Sequence, residues 1–575
     1  MKHIIKLHDA PKRFTLDQDK VLPPEETVQR MKEKLKSLDL DILEETRRID
    51  NGRLDIPVYF SSCGKDAAAV TGTKKQMGKG ATPAQSEASA VMELVERFSF
   101  FSFCNNPDNF FIERHANIKD KAMPFRQIAQ SVHDESEDLD IARSIFESLP
   151  LNWTWAFNLT ENREVLIPFD WFYTINEFNG PSTGNCVEEA LSQGICEIVE
   201  RHVSSIISRE QIRVPAIRPE TITQPLVLEM LEKYRKNGIK LYLSDFSLGM
   251  GIPSVGVLAY DPSTFPKLSE IVWTAGTTPD PQKSLSRTLS EVAQLAGDFN
   301  TGSNFLASGL PKFYTLDEAE YIMRPDREIS ISDMPNLAGD NIRIEVENLI
   351  AALAGKQMDV IAVNTTHPLL ETPAFYTIVP GAHFRERALG TSVGMFATKL
   401  IAEKYAPAAA IARLKAIEEK LPGKYYVHFY IGYCHLALEN RELALASFRK
   451  ALELEPNRQD IPSIYSYMGV CLKDLGEYGQ ALNMLKLGEQ ADADRTDIHN
   501  LMGFCHFKLK EHDKAINCFK KALAIDPSSA IDYANIASNY REMGETGKAI
   551  EYYELALALD PTIEFARESL SRLRN

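Results

Sequence analysis

Two textures of apolar and polar positions divide this chain. Up to about residue 402 the apolar period alternates between that of helices and that of strands; from about residue 403 only the helical period persists. In the first part, Pro23-Pro24-Glu25-Glu26-Thr27 reads as a helix start with acids in its first turn. Val28, Met31, Leu35 and Leu38 then supply a buried helical stripe. β-Branched and aromatic runs predict strands at 53–60 (strongest at 56–60), 153–157, 165–172, 240–246, 254–259, 271–276, 360–363 and 375–379. Helical spacing predicts helices at 187–207, 225–237 and 281–298. Residues 74–82, with Gly78-Lys79-Gly80 at their centre, read as a flexible basic loop. Residues 179–185 read as a second loop of small residues, and the charge-rich 108–137 as solvated surface. Mixed elements followed by helices alone predict an α+β domain over 1–402 and an all-α domain over 403–575.

One helical phrase occurs twice. Ser89-Ala-Val-Met-Glu93-Leu-Val-Glu96-Arg97 follows the first loop, and Gln193-Gly-Ile-Cys-Glu197-Ile-Val-Glu200-Arg201 follows the second. Each copy places two glutamates and an arginine at i, i+3 and i+4, on one face of a helix. Ala90, Val91, Leu94 and Val95, and then Ile195, Cys196, Ile198 and Val199, fill the positions between, so these helices are apolar enough to be buried. A single E-x-x-E-R is an ordinary solvated ion pair. Two copies in apolar helices, each behind a glycine-containing loop, point to a site. Buried carboxylates are costly unless paired or holding a cation, and four of them with two arginines suit a metal together with an anion. Glu189 shares the face of Glu197 and Glu200, and Arg287, Glu291 and Gln294 recur at i, i+4 and i+7 of the 281–298 helix. The Gly78-Lys79-Gly80 turn can offer amides and an ammonium to phosphate, without Walker spacing. His202 reads as structural and Cys196 as a packed thiol; Cys186, in the loop, stays open as a sulfur carrier.

In the second part Gly432, Gly469, Gly503 and Ala537 mark equivalent helix positions, stepping by 34 residues after a first step of 37 that carries an insertion near 459–462. Ala444, Ala481, Ala515 and Ala549 follow at a constant offset, and Pro456, Ala493, Pro527 and Pro561 close each unit. This is the small-residue and proline pattern of tetratricopeptide repeats, clear over about 425–570. Stacked helix pairs of this kind form a solenoid with a concave groove. Docking of a protein or peptide is the expected role; a structural extension or a homodimer contact is the plainer one.

Composition narrows the reading. A length of 575 residues with 44% hydrophobic and 25% charged residues describes a multidomain globular protein. The net charge of −16 disfavours nucleic acid as a partner. No apolar run approaches a membrane span, and the polar start is not a signal peptide, so no membrane role is expected. The eight cysteines form no C-x-x-C, which argues against structural zinc and for a reducing, cytoplasmic setting.

The segments 78–97 and 185–201, with Arg287-Thr-Leu-Ser-Glu291-Val-Ala-Gln294 and Ile378-Val-Pro-Gly381, resemble the motifs of the YcaO superfamily. Lys20 and Thr27 have the spacing of an N-terminal lysine and hydroxyl that reach phosphate in that family. The resemblance implies an α+β ATP-binding domain of YcaO type. Glu93, Glu96, Glu197 and Glu200 would hold Mg2+, and Lys20, Thr27, Ser89, Arg97, Glu189, Arg201 and Gln294 would hold ATP. It implies an enzyme that activates a backbone amide of a peptide or protein by O-phosphorylation. Attack by a neighbouring Cys, Ser or Thr then gives an azoline, as in a cyclodehydratase; attack by an external sulfur species gives a thioamide and calls for a sulfur-delivery partner. The other implied role is an ATP-binding accessory factor for a ribosomal-protein methylthiotransferase. Ala296 departs from the arginine that many members have there. The chain ends in repeats rather than the proline-rich terminus common in azoline-forming members, which weighs against azoline formation.

Overall fold

The computed structural model describes residues 3–574 apart from 74, 177, 301–309, 385–390 and 527–528. Contacts divide the chain into two compact units, Met1–His133 with Glu147–Arg387, and Asp134–Phe146 with Ala388–Asn575. The second unit thus begins ahead of the change of texture at 403 and takes in one segment from the middle of the first.

Three sheets build the first unit. A three-stranded antiparallel sheet joins Leu43–Arg48, Val58–Cys63 and Lys75–Lys79. A five-stranded sheet runs Val272–Thr277, Ser254–Tyr260, Lys240–Asp245, Ala216–Ile217, Glu328–Ile329. The six-stranded sheet runs Phe111–Arg114, Pro150–Asn158, Ile361–Asn364, Ala374–Ile378, Pro181–Thr183, with Arg163–Pro168 also paired to Pro150–Asn158. Ser254–Tyr260 is covered on both faces, which is why it reads as an unbroken apolar run. Helices Pro83–Asn105, Val187–Glu210 and Pro281–Ala296 lie on these sheets. Val187–Glu210 packs through Leu191, Ile195, Ile198 and Val199 into a core shared with Phe246, Trp273, Val346 and Phe375.

Several elements differ from expectation. Residues 75–79 are a strand: Met77 pairs with Phe60, and Gln76 and Gly78 are buried. The partner strand Val58–Cys63 outweighs the weak strand preference of Lys and Gly; Lys74 lies outside the described residues. The strand expected at 53–60 is Val58–Cys63, since Pro57 has no N–H for the ladder. The run 165–172 divides into strand Arg163–Pro168 and helix Phe169–Asn176. The small-residue loop contains strand Pro181–Thr183, and the segment expected to be solvated buries Met123, Ile128 and Val132.

In the repeat unit, helices Tyr425–Ala437, Ile461–Asp474, Thr496–Lys508 and Ala530–Glu542 pack on Arg441–Glu453, Tyr478–Ala491, His512–Ile525 and Thr546–Leu559 in turn. A Cβ at Gly503 would stand 2.7 Å from the Phe519 ring, and one at Gly469 2.5 Å from Leu485. Ala444, Ala481, Ala515 and Ala549 are fully buried. The repeating small residues are therefore the close helix–helix approaches. Pro456 and Pro561 follow their helices; Pro527 lies outside the described residues. No helix among the described residues is long and apolar enough to cross a membrane.

Candidate functional site

Both E-x-V-E-R helices start beside a strand. Thr82 caps the first, its hydroxyl accepting from the Gln85 amide at 3.2 Å, and Pro83 occupies the first turn. Strand Lys75–Lys79 presses so closely on this helix that a Cβ at Gly78 would collide with the Ala90 amide; the Ser86 hydroxyl donates to the Gly78 carbonyl at 2.9 Å. This contact aims Lys79 across the acidic face. The amino-terminal segment closes over the second helix, where Glu189 accepts from the Val21 amide at 2.5 Å and the Asn185 amide at 2.9 Å. Lys12, bonded to Asp19 at 2.9 Å and Glu345 at 2.6 Å, anchors the same segment, and Lys283 joins it by an ion pair to Asp19.

The two acidic faces and the Pro281–Ala296 helix enclose a cleft of about 360 Å³. All four motif glutamates line it, with Arg97 and Arg201. Lys20, Thr27, Ser89, Glu189 and Gln294 line it as well, so every residue expected at the site is brought to one place. Arg97 lies 3.6 Å from Glu93 and 3.8 Å from Glu96, and Arg201 3.9 Å from Glu197. These are loose pairs, beyond hydrogen-bond length. Glu189 is committed to the Val21 and Asn185 amides, and the Thr27 hydroxyl donates to Asn185 Oδ1 at 3.2 Å. These two residues shape the cleft. Lys79, Gln193, Arg287 and Glu291 are lining residues that the expected set omitted. The Gly78-Lys79-Gly80 turn and the i, i+4 spacing of Arg287 and Glu291 were the available signals; Gln193 carried none.

The cleft is electrostatically under-satisfied. Glu200 Oε2 and Arg287 Nε face each other at 3.6 Å, both buried and without a hydrogen-bond partner. Burial, then repulsion from Glu93 and Glu197, pushes the Glu96 carboxyl well above its usual range despite Arg97. Burial likewise raises Glu197, against Arg201 and Arg97. Lys79 forms an ion pair with Glu291, yet burial, reinforced by Arg287, pushes its pKa down to about 7. Buried carboxyls raised in this way invite a cation, and the arginines and Lys79 around them suit phosphate. Among the described residues, no three His, Cys, Asp or Glu side chains gather closely enough to hold a metal by themselves. The glutamates are therefore not a preformed cage. They fit Mg2+ held by a few carboxylates together with phosphate oxygens of a nucleotide.

The other candidates resolve simply. His202 is buried, its Nδ1 accepting from the His383 amide at 3.0 Å, a structural contact. Burial raises both Cys186 and Cys196 to about 12, so neither is a ready thiolate.

Fold and cleft together define an α+β domain with a nucleotide-sized acidic and basic cleft, followed by helical repeats. The YcaO cyclodehydratase family, described as ATP- and Mg2+-binding, matches residues 77–383, and tetratricopeptide repeats match 425–458 and 494–562. The chain belongs to the YcaO family. An uncharacterised protein of Methanothermobacter thermautotrophicus is 26% identical over 381 residues, 62% of this chain and 93% of that protein. The ribosomal protein S12 methylthiotransferase accessory factor YcaO of Escherichia coli K12 is 31% identical over 139 residues, 24% of this chain and 23% of that protein. Among solved structures, Methanopyrus kandleri YcaO bound with AMPPCP and Mg2+ aligns with a TM-score of 0.50 at 21% identity, over 67% of this chain and 97% of that one. A heterocyclase in complex with substrate and cofactor aligns with a TM-score of 0.55 at 22% identity, over 66% of this chain and 55% of that one.

Proposed function

We propose that this protein uses Mg-ATP to activate a backbone amide of a peptide or protein by O-phosphorylation, leading to a thioamide or an azoline. The observation that carries this reading is the cleft itself, where four glutamates from two helices face Arg97, Arg201, Arg287 and Lys79, with Glu200 Oε2 and Arg287 Nε left without hydrogen bonds. Glu93, Glu96, Glu197 and Glu200 would hold Mg2+, and Lys20, Ser89, Arg97, Arg201 and Gln294 the nucleotide, with Thr27 and Glu189 shaping the pocket wall. Bound Mg-ATP would supply the phosphoryl group that turns an amide oxygen, a poor leaving group, into one that departs as phosphate. The arginines neutralise charge on that group and Lys79, released from Glu291, offers a further cation. The repeats recruit the substrate or a partner.

A second reading, an ATP-binding accessory factor for a ribosomal-protein methylthiotransferase, is favoured by the 31% identity to the Escherichia coli accessory factor. Calorimetry with Mg2+ and a non-hydrolysable ATP analogue, followed by phosphate release in the presence of peptides, tests both. Binding with peptide-dependent turnover supports the enzyme; binding with turnover only when a methylthiotransferase is added supports the accessory factor. Absence of both binding and turnover removes the first reading.

A further inference from the structure

The repeat unit carries a surface that the cleft does not use. One residue past the small packing residues Gly432, Gly469, Gly503 and Ala537 stand Tyr433, Val470, Phe504 and Ser538. A step of one residue turns a side chain about 100° around a helix, away from the packed neighbour. Two of the four are large rings left open to water, Tyr433 at 36% exposure and Phe504 at 39%. Phe504 differs from Tyr433 in having two cations on it. Lys473 Nζ, from helix Ile461–Asp474, lies 5.5 Å from its ring centre. Lys508 Nζ, one turn further along Thr496–Lys508 on the same face, lies 5.3 Å from it. The Tyr478 ring meets Phe504 edge-on at 6.5 Å.

Charge decides what fits here. The first helices of the four pairs carry four acids, and each is already engaged. Asp474 pairs with Lys473 at 3.0 Å, Asp497 with Arg495 at 2.8 Å and Glu542 with Arg541 at 2.8 Å; Asp532 is buried and accepts from Ser529 at 2.6 Å. Lys508 is exposed and meets no carboxylate among the described residues. The patch is thus an apolar ring with one positive charge in surplus, on a chain whose net charge is −16. It is also fixed in place. Asp497 accepts from Ser466 at 2.7 Å and Arg495 donates to Ser463 at 3.0 Å, which ties the helix of Lys473 to the helix of Phe504 and Lys508. The two ammoniums on one ring repel each other; a carboxylate brought to them removes that repulsion, and a basic group adds to it.

We infer that this face docks an acidic segment of a partner protein. The segment lays an apolar side chain on Phe504 and brings a carboxylate to Lys508, where the surplus charge is; a second carboxylate shares Lys473 with Asp474. The ring supplies contact area and the lysines select for acid over base, so affinity and specificity come from different side chains of one patch. The inference names the chemistry of what the repeats recruit and rests on the reading that they do recruit.

The test titrates the full-length protein by calorimetry with two blocked peptides, acetyl-Glu-Asp-Leu-Glu-Asp-Phe-Glu-amide and acetyl-Lys-Lys-Leu-Lys-Lys-Phe-Lys-amide. The acidic peptide should bind, severalfold more weakly at about 0.5 M than at about 0.1 M salt, and the basic one should not. Lys508→Glu should lower the affinity at least about tenfold, Phe504→Ala about tenfold, and Lys508→Arg should keep it. Lys450→Glu, the same charge change on helix Arg441–Glu453, should leave it unchanged. No binding of the acidic peptide, equal binding of the basic one, no loss in Lys508→Glu, or an equal loss in Lys450→Glu would overturn the proposal. So would self-association that Lys508→Glu abolishes, which assigns the face to a second copy of this chain, or binding of oligothymidylate in place of the acidic peptide, which assigns it to nucleic acid. Nucleotide binding is measured on the same samples. Peptide binding without nucleotide binding removes the reading of the cleft and keeps this surface; nucleotide binding without peptide binding does the reverse.

Discussion

The two units of this chain bring charges together in opposite ways. In the first unit the pairs that matter are remote in sequence: Lys79 with Glu291, Glu200 with Arg287, Lys12 with Glu345. In the repeat unit they lie within one turn or one repeat: Arg495 with Asp497 and Ser463, Lys521 with Glu489, Asp497 with Ser466. The burial differs too. The repeats bury small residues against rings and leave single scattered polar atoms such as Asp532 Oδ1 without a hydrogen bond, whereas the first unit gathers several buried charges in one cleft and leaves Glu200 Oε2 and Arg287 Nε unbonded there. Incomplete pairing of several charges gathered in one cleft leaves interaction energy for a ligand.

The contrast can be broken at several places. Lys12→Met strands the buried Glu345 and leaves Asp19 with Lys283 alone, and removing one partner of a buried ion network costs about 3–5 kcal/mol. Its melting transition should fall sharply, and nucleotide affinity should drop with it, because the segment carrying Lys20 loses its anchor. A variant that melts like the parent would show that this network is not what holds that segment. Glu200→Ala, or Glu93→Ala, should weaken Mg-ATP binding on the order of 100-fold while helical circular dichroism stays unchanged. Equal affinity of both variants and the parent, by calorimetry, would remove the site assignment. Gly503→Val forces a side chain onto Phe519 and should destabilise the repeats by about 1–3 kcal/mol, with nucleotide affinity intact. Limited proteolysis would report cleavage confined to 425–559.

The smallest effect is a pH dependence of the repeats. Burial raises the Asp497 carboxyl, but Arg495 and Ser466 outweigh it and hold its pKa below 3.8. A carboxyl depressed on folding stabilises above its unfolded value, so this contribution is present above pH 3.8 and is lost as pH falls through the folded value. Asp497→Asn should flatten the acid limb of the repeat unit's melting profile; an unchanged limb would assign acid sensitivity elsewhere.

Much of this was legible in the residues. The paired E-x-V-E-R phrases, the helical face of Arg287, Glu291 and Gln294, and the step of Gly469, Gly503 and Ala537 are local periodicities, and each reports which side chains share a helix face. Residues 75–79 were not legible as a strand, because Lys75, Gln76, Gly78 and Lys79 have weak strand preference and only Val58–Cys63 makes them one. The strand Pro181–Thr183 depends in the same way on Ala374–Ile378.

By itself the sequence determined the helices, their acidic faces, the repeat architecture and the family resemblance, since all of these are encoded in spacings of a few residues. Only the tertiary structure decided that the two acidic faces and the third helix share one cleft. It also decided that Lys79 meets Glu291 and that Glu189 holds the amino-terminal segment. Those outcomes depend on which distant segments pair and on what burial does to a charge once water is gone. Neither is a property of any short stretch of chain.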